Sequence, residues 1–245
     1  MVGSGRPPVI TVLVAPGARK VGERLELGAD EAHHLKVRRG EHGVRVRFRD
    51  GAGWGGTGLL ESDGSRFVLT VELVEHAAPP PPLVLAVGAG DRDRFTWLVE
   101  KAAELGVTDV VPLETQRTVN VATRVRDAHV EKLARRSREA IKQSGAFWTP
   151  RVLPPVLFET FVDAPRSGER WLLDATGRAP AGLDTSTAVT ALVGPEGGFT
   201  DDEAAQARSA GYQPVRVGPH TLRFETAAVS AAAVIQTARE RGADG

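Results

Sequence analysis

The chain has 245 residues, a formal net charge of zero, 41% hydrophobic and 25% charged residues, the make-up of a globular protein of one large or two modest domains. It contains no cysteine, which excludes a disulfide framework, a thiolate metal site and a thiol nucleophile. With no excess of positive charge, any contact with nucleic acid has to come from a local basic face.

The six histidines are scattered apart from the pair His33-His34, and none has the helical spacing of a metal ligand set, so no metal is expected. No run reaches the roughly 18 apolar residues of a membrane span. Met1 to Pro8 lack a hydrophobic signal core. No membrane partner and a cytoplasmic location are therefore expected.

From about residue 8 to 76 the chain reads as β. Val9–Val14 is a strand-like apolar run. Val44, Val46 and Phe48 alternate with Arg45, Arg47 and Arg49, and Phe67, Leu69, Val71 and Leu73 alternate in the same way. A period of two turns the apolar set inward and places the arginines on one outward face. Gly51, Gly53, Gly55 and Gly56 mark a turn, and short strands with glycine turns suggest a small barrel. Between these strands His33, His34, Lys36, Arg38 and Arg39 cluster around Leu35 and Val37. With the arginine face they read either as a basic patch for phosphates or as the solvated face of a small domain.

Pro79–Pro82 is an extended spacer and the best candidate domain boundary. Beyond it strands and helices alternate. Leu83–Val87 is a strand; Phe95, Leu98, Val99, Ala102 and Leu105 recur at helical spacing up to Gly106; Asp109–Leu113 is the next strand. A helix from Asp127 to Gly145 shows Lys132, Arg135, Arg136, Arg138 and Lys142 on its exposed side. Trp171–Leu173 and Ala188–Val193 are strands, Arg178–Thr187 a loop, and a strand near Val215–Val217 leads to a last helix over about Thr226–Arg241. The pattern is an α/β domain with a mostly parallel sheet.

Two strand-to-helix turns carry the candidate chemistry. The first is Leu192-Val193-Gly194-Pro195-Glu196-Gly197-Gly198-Phe199-Thr200. Its glycines let a ligand approach the backbone, and Thr200 with Glu203 has capping-box spacing, so a helix starts near Asp201. The second is Val217-Gly218-Pro219-His220-Thr221-Leu222-Arg223-Phe224-Glu225-Thr226. Two such turns at the carboxyl ends of strands can form one ligand site, although tight core packing reads the same way. Gly88-Ala89-Gly90 with Glu114 downstream loosely imitates a dinucleotide fingerprint, but Asp93 stands where the third glycine belongs.

His33–Arg39, Gly90–Arg92, Phe95–Gly106, Pro112–Val119, Glu139–Gly145 with Pro150, Leu192–Gly198, and Gly218 with Leu222–Ala227 resemble the bacterial small-subunit ribosomal RNA methyltransferases that make N3-methyluridine, a family of the SPOUT class. The resemblance implies an α/β fold: an N-terminal PUA-like β-barrel for RNA binding over residues 1–78 and a C-terminal SPOUT domain with a deep trefoil knot over 83–245. It implies S-adenosylmethionine as cofactor, ribosomal RNA or the small ribosomal subunit as partner, and a homodimer. By the same resemblance Leu173, Gly194, Glu196, Gly197, Gly198, Val217, Gly218, Leu222, Arg223 and Thr226 bind the cofactor. Arg223 and Glu225 are the candidate catalytic pair, the first stabilising a uracil anion and the second removing the N3 proton. Arg6, His34, Lys36, Arg38, Arg39 and Arg117 are candidate RNA contacts. Two departures stand out: Ala146 replaces a usual basic residue, and Phe224 a usually small or polar one. The rival functions are a SPOUT enzyme acting on a ribose 2′-hydroxyl or a guanine, a non-catalytic ribosome-assembly RNA-binding protein, and a nucleotide-dependent oxidoreductase using Gly88–Gly90.

Overall fold

The computed structural model describes residues 10–37, 43–63, 66–180 and 182–243. They divide into two compact units. The first comprises Met1–Pro79 with Ile141–Thr149, and the second Pro80–Ala140 with Pro150–Gly245.

In the first unit, β1 (Thr11–Leu13), β2 (Arg24–Glu26), β3 (Val44–Arg49), β4 (Trp54–Asp63) and β5 (Arg66–His76) form a mixed sheet in the order β1-β3-β4-β5-β2. β1 runs parallel to β3 and the other pairs are antiparallel. Helix α1 (Ala29–Val37) stands where the basic cluster breaks the β pattern of the sequence. Asp30 and Glu31 favour a helix start there, and Leu35 joins Val12, Val46, Phe48, Leu60 and Leu69 in the core. The expected turn over Gly51–Gly56 is shorter than anticipated, because Gly55 and Gly56 already pair with Arg49 and Phe48 as part of β4.

The expected arginine face on β3 holds for Arg45 and Arg47, which are exposed, and is corrected at Arg49, which is buried. Arg45 is ion-paired with Glu72 at 2.7 Å. Arg49 turns inward: its guanidinium donates to Gly145 O at 3.0 Å and Phe48 O at 2.9 Å and stacks 3.9 Å from the Phe147 ring centre. Burial lowers the Arg49 pKa, against the opposing pull of Glu75. Arg45 and Arg47 keep the outward face, and Glu72 answers Arg45 there. Residues 141–149 thus serve the first unit, and Trp148 Nε1 completes the arrangement by donating to Ala77 O and Ala78 O at 3.1 and 3.0 Å.

The second unit contains β6 (Leu83–Gly88), α2 (Arg92–Glu104), β7 (Asp109–Glu114), α3 (Asp127–Ser144, ending in the first unit's segment), β8 (Arg151–Val152), β9 (Val156–Leu157) and α4 (Phe158–Asp163). It continues with β10 (Glu169–Arg178), β11 (Val189–Val193), α5 (Asp201–Ser209), β12 (Gln213–Val215) and α6 (Phe224–Ala243). Among the described residues its strands form one parallel sheet in the order β12-β10-β11-β6-β7-β8, with β9 also on β7. The strands are apolar on both faces because helices cover both. Leu83, Leu85 and Val87 point to α2 and α6 through Phe95, Leu98, Ala228 and Ile235, while Ala86 and Leu192 point to α4 and α5 through Phe158, Phe161 and Ala207. β8, β9 and α4 are absent from the sequence reading, being two, two and six residues long. Among the described residues no helix is long and apolar enough to cross a membrane.

The Gly88–Gly90 fingerprint has a packing cause. A Cβ on Gly88 would stand 2.5 Å from Pro195 Cδ, so the glycine admits the turn that follows β11. Asp91 caps α2, its Oδ1 accepting the Asp93 and Arg94 N–H groups at 2.9 and 3.1 Å. A capping carboxylate satisfies helix donors that a phosphate would otherwise take.

Two buried charged side chains fasten this unit. Glu203, 2% exposed, closes the capping box of α5 by accepting Thr200 N–H at 2.8 Å, and accepts Gln116 N–H at 2.8 Å with its other oxygen. Arg239 on α6 donates to Pro82 O at 2.8 Å and Thr187 O at 2.5 Å, with a longer bond to Pro81 O at 3.4 Å. Glu203→Gln puts an amide N–H against a backbone N–H and is expected to destabilise by about 1–3 kcal/mol. Arg239→Met removes a charged donor from these carbonyls and should cost roughly 1.5–3 kcal/mol. Urea unfolding measures both, and wild-type midpoints in either variant would refute the assignment.

Candidate functional site

The three strands at one edge of the sheet, β10, β11 and β12, each end at the same cavity. Its volume is about 350 Å³, within the ~300–1,000 Å³ of small-molecule sites. The turn after β11 forms one wall through Gly194, Pro195, Glu196, Gly198 and Phe199. It is a tight turn, with Gly198 N–H donating to Pro195 O at 2.7 Å. Gly198 has φ +73°, a left-handed conformation that favours glycine. A Cβ on Gly194 would meet Gly198 Cα at 3.0 Å, so the turn folds back on itself.

The second wall is the segment between β12 and α6, with Arg216, Val217, Gly218, His220, Thr221 and Leu222, followed by Phe224 and Ala227 on α6. The strand itself ends at Val215, two residues earlier than the sequence suggests. That leaves Val217 in the connecting segment, where its side chain is half-buried.

The third wall comes from a bulge in β10. Leu173 and Arg178 both pair with Val215, so residues 174–177 leave the ladder. Asp174 closes the excursion by accepting the Thr176 N–H at 2.8 Å and its hydroxyl at 2.7 Å. These bonds, the backbone one first, hold the Asp174 carboxyl below its usual pKa. The same carboxylate lies 3.7 Å from Arg208 of α5. The bulge brings Leu173, Asp174 and Ala175 to the cavity.

Of the residues expected to bind a cofactor, Leu173, Gly194, Glu196, Gly198, Val217, Gly218 and Leu222 line this cavity. Gly197, Arg223 and Thr226 are outside its lining. Gly197 packs under Arg117: a Cβ there would stand 3.0 Å from Arg117 Cδ. Arg223 and Thr226 are exposed at the start of α6. Glu225 is 9% exposed. Its Oε1 accepts from Arg94 at 3.2 Å, and its Oε2 is buried without a hydrogen-bond partner. Phe224, the unusual residue of that stretch, is buried and lines the cavity.

Of the expected RNA contacts, Arg117 is exposed beside the turn after β11. His34 and Lys36 belong to α1, with side chains outside the described residues, as are Arg6, Arg38 and Arg39 entirely. Sequence reasoning did not name Asp174, Ala175, Arg208, Arg216, His220 or Thr221. Asp174 and Ala175 needed the bulge; His220 and Thr221 stood inside a motif already singled out. Among the described residues no group of three or more His, Asp or Glu could hold a metal.

Comparison with known proteins places this geometry. A ribosomal RNA small subunit methyltransferase E of Synechocystis sp. is 28% identical over 94% of this chain and 78% of its own length. One of Rickettsia conorii is 29% identical over 87% and 89%. The crystal structure of a ribosomal RNA small subunit methyltransferase E from Neisseria gonorrhoeae bound to S-adenosyl methionine superposes with a TM-score of 0.82 at 27% identity, covering 94% of this chain and 97% of that one. A methyltransferase of Legionella pneumophila in complex with the bound cofactor SAM gives a TM-score of 0.80 at 26% identity, covering 94% and 98%. The family model described as an RNA methyltransferase domain matches residues 78–236, and the chain belongs to that RNA methyltransferase family.

Proposed function

We propose that this protein methylates N3 of a uridine in small-subunit ribosomal RNA, with S-adenosylmethionine as methyl donor. The observation that carries the reading is the convergence of three strand-end segments on one cavity of about 350 Å³ in a chain whose relatives are named for that RNA. The lining suits the donor. Leu173, Val217, Leu222 and Phe224 offer apolar contact for an adenine. Asp174 and Glu196, with Arg208 and Arg216, offer charges for an amino-acid end. Gly194, Gly198 and Gly218 keep the backbone accessible, and Gly197, Arg223 and Thr226 adjoin lining residues in the chain.

When bound, the donor supplies a methyl group on a positively charged sulfur. The protein's work is to align uracil N3 with that carbon, exclude water and manage one proton. Arg223, exposed beside the cavity-lining Leu222 and Phe224, stabilises the negative charge that develops on the uracil. Glu225 accepts the N3 proton on Oε2, the oxygen without a partner, while Arg94 fixes Oε1. The N–C bond forms as the C–S bond breaks, with its electron pair passing to sulfur.

The five-stranded mixed sheet of the first unit supports a PUA-like domain; Arg6, His34, Lys36, Arg38 and Arg39 of that unit, and Arg117 of the second, are the residues assigned to RNA contact. Insertion of β11 between β6 and β10, with the segment after β12 beside the turn after β11, supports a trefoil-knotted second domain. A shallow apolar cavity of about 360 Å³ between Pro180 and the Ala233–Ala238 face of α6 supports a homodimer.

Calorimetry is expected to show one S-adenosylmethionine site per chain, lost in Gly194→Val. Nucleoside mass spectrometry of treated small subunits is expected to show N3-methyluridine; a 2′-O-methyl or methylguanine product would overturn the target. Arg223→Ala should lower kcat by about 10²–10³-fold with donor binding retained. Glu225→Gln should lower kcat about 10²-fold or more, and full turnover across pH would end its role as base.

A further inference from the structure

A second cleft, of about 250 Å³, lies between the start of α2 and the first turns of α3. Arg92, Asp93, Thr96, His129 and Lys132 line it, and it shares no lining residue with the cavity at the strand ends. The loop before α3 is fixed to the start of α2. Arg92 N–H donates to Thr123 O, and Val125 N–H to Ala89 O, both at 3.0 Å.

His129 holds the key observation. Its Nδ1 accepts the Arg126 backbone N–H at 2.9 Å, and its Nε2 stands 3.3 Å from Arg92 Nη1. A ring nitrogen that accepts a backbone N–H carries no proton, so the neutral ring holds its proton on Nε2. That N–H faces a guanidinium, which has only donors to offer. Lys132 adds an ammonium to the same cleft. Among the described residues the Asp93 carboxylate bonds to none of the three. The cleft therefore gathers three donor groups that its one carboxylate, Asp93, leaves unanswered.

Its surroundings reinforce the demand. Residues 117–138 carry seven Lys and Arg against two acidic residues, in a chain of zero net charge. Arg124 and Arg136 have distant acidic neighbours at 3.9 Å, whereas Arg126, Lys132, Arg135 and Arg138 are exposed. The same run begins at Arg117, beside the turn that walls the methyl-donor cavity.

We propose that the Arg92–His129–Lys132 cleft binds a backbone phosphate of the substrate RNA, flanking the nucleotide that enters the active site. The proposal rests on the reading that the chain acts on RNA. One phosphate oxygen sits between Nε2 of His129 and the Arg92 guanidinium, and the other faces Lys132. Such a contact holds the strand in register and carries no sequence information.

The test is binding of a labelled small-subunit RNA fragment across a KCl series, by wild type, Lys132→Gln, and Arg92→Gln with Lys132→Gln. Lys132 is exposed, and Arg92→Gln keeps the backbone bond to Thr123, so both variants retain the fold. The double variant is expected to flatten the slope of log K against log [KCl] by about 0.7–0.9, the loss of one phosphate contact. The KM for RNA should rise about tenfold, with kcat at saturating RNA and donor affinity unchanged, and Lys132→Arg should restore the slope. An unchanged slope and KM, or a fall in kcat at constant KM, overturns the cleft. Absence of donor binding and methyl transfer in the wild type would instead overturn the proposed function, because the slope is read without catalysis.

Discussion

The carboxylate of Glu203 is the interaction on which the site depends. One oxygen accepts Thr200 N–H and fixes where α5 begins, and the other accepts Gln116 N–H from the turn that follows β7. A carboxylate that is 2% exposed is costly unless its lone pairs are met, so the two backbone segments are held at a set separation. The turn after β11 runs directly into Thr200 and inherits that position. Pro195 of the same turn then packs on Gly88 at the end of β6, where any side chain would collide with it. A glycine-rich turn, which alone could take many conformations, is clamped at both ends before any ligand arrives. Preorganisation of this kind reduces the cost of binding.

The parts of this fold that could be read from the sequence are those where local chemistry decides the outcome. β6, β7 and β11 are continuous apolar runs because helices cover both faces. Thr200 and Glu203 announce α5 because a capping box is a contact between residues three apart. The two glycine-bearing turns are visible for the same reason, whereas the choice of cofactor residues within them comes from the resemblance to a family and not from local chemistry. What could not be read depends on distant partners. Arg49 alternates with Val46 and Phe48 like a surface residue, yet Gly145 and Phe147, almost a hundred positions away in the chain, draw it inward. The bulge in β10 that delivers Asp174 exists because Arg178 re-pairs with Val215 after four residues have left the ladder. Glu225 reads as a cap or a base, and its partner Arg94 lies on another helix. Gly88 to Gly90 imitate a nucleotide loop because close backbone approach demands glycine whether the neighbour is a phosphate or a proline.

Neutral net charge is a poor guide to whether such a molecule engages RNA. A phosphate responds to charges within roughly one Debye length, about 8–10 Å at physiological ionic strength. Distribution therefore matters more than the sum. In this chain several carboxylates are committed to internal donors. Asp50 accepts the N–H groups of Gly17, Ala52 and Trp54; Asp91 caps α2; Glu203 holds two backbone segments; Asp109 pairs with Arg151 at 2.6 Å. The matching cations are not distributed in the same way, and residues 117–138 keep a surplus of them on an exposed loop and helix. Acids placed inward by helix capping and basic residues left outward on one segment produce a positive surface on a molecule whose formal charges cancel. The segment that carries this surface starts at Arg117, against the glycine turn of the cavity, so the anion-attracting face and the ligand cavity are parts of one continuous construction.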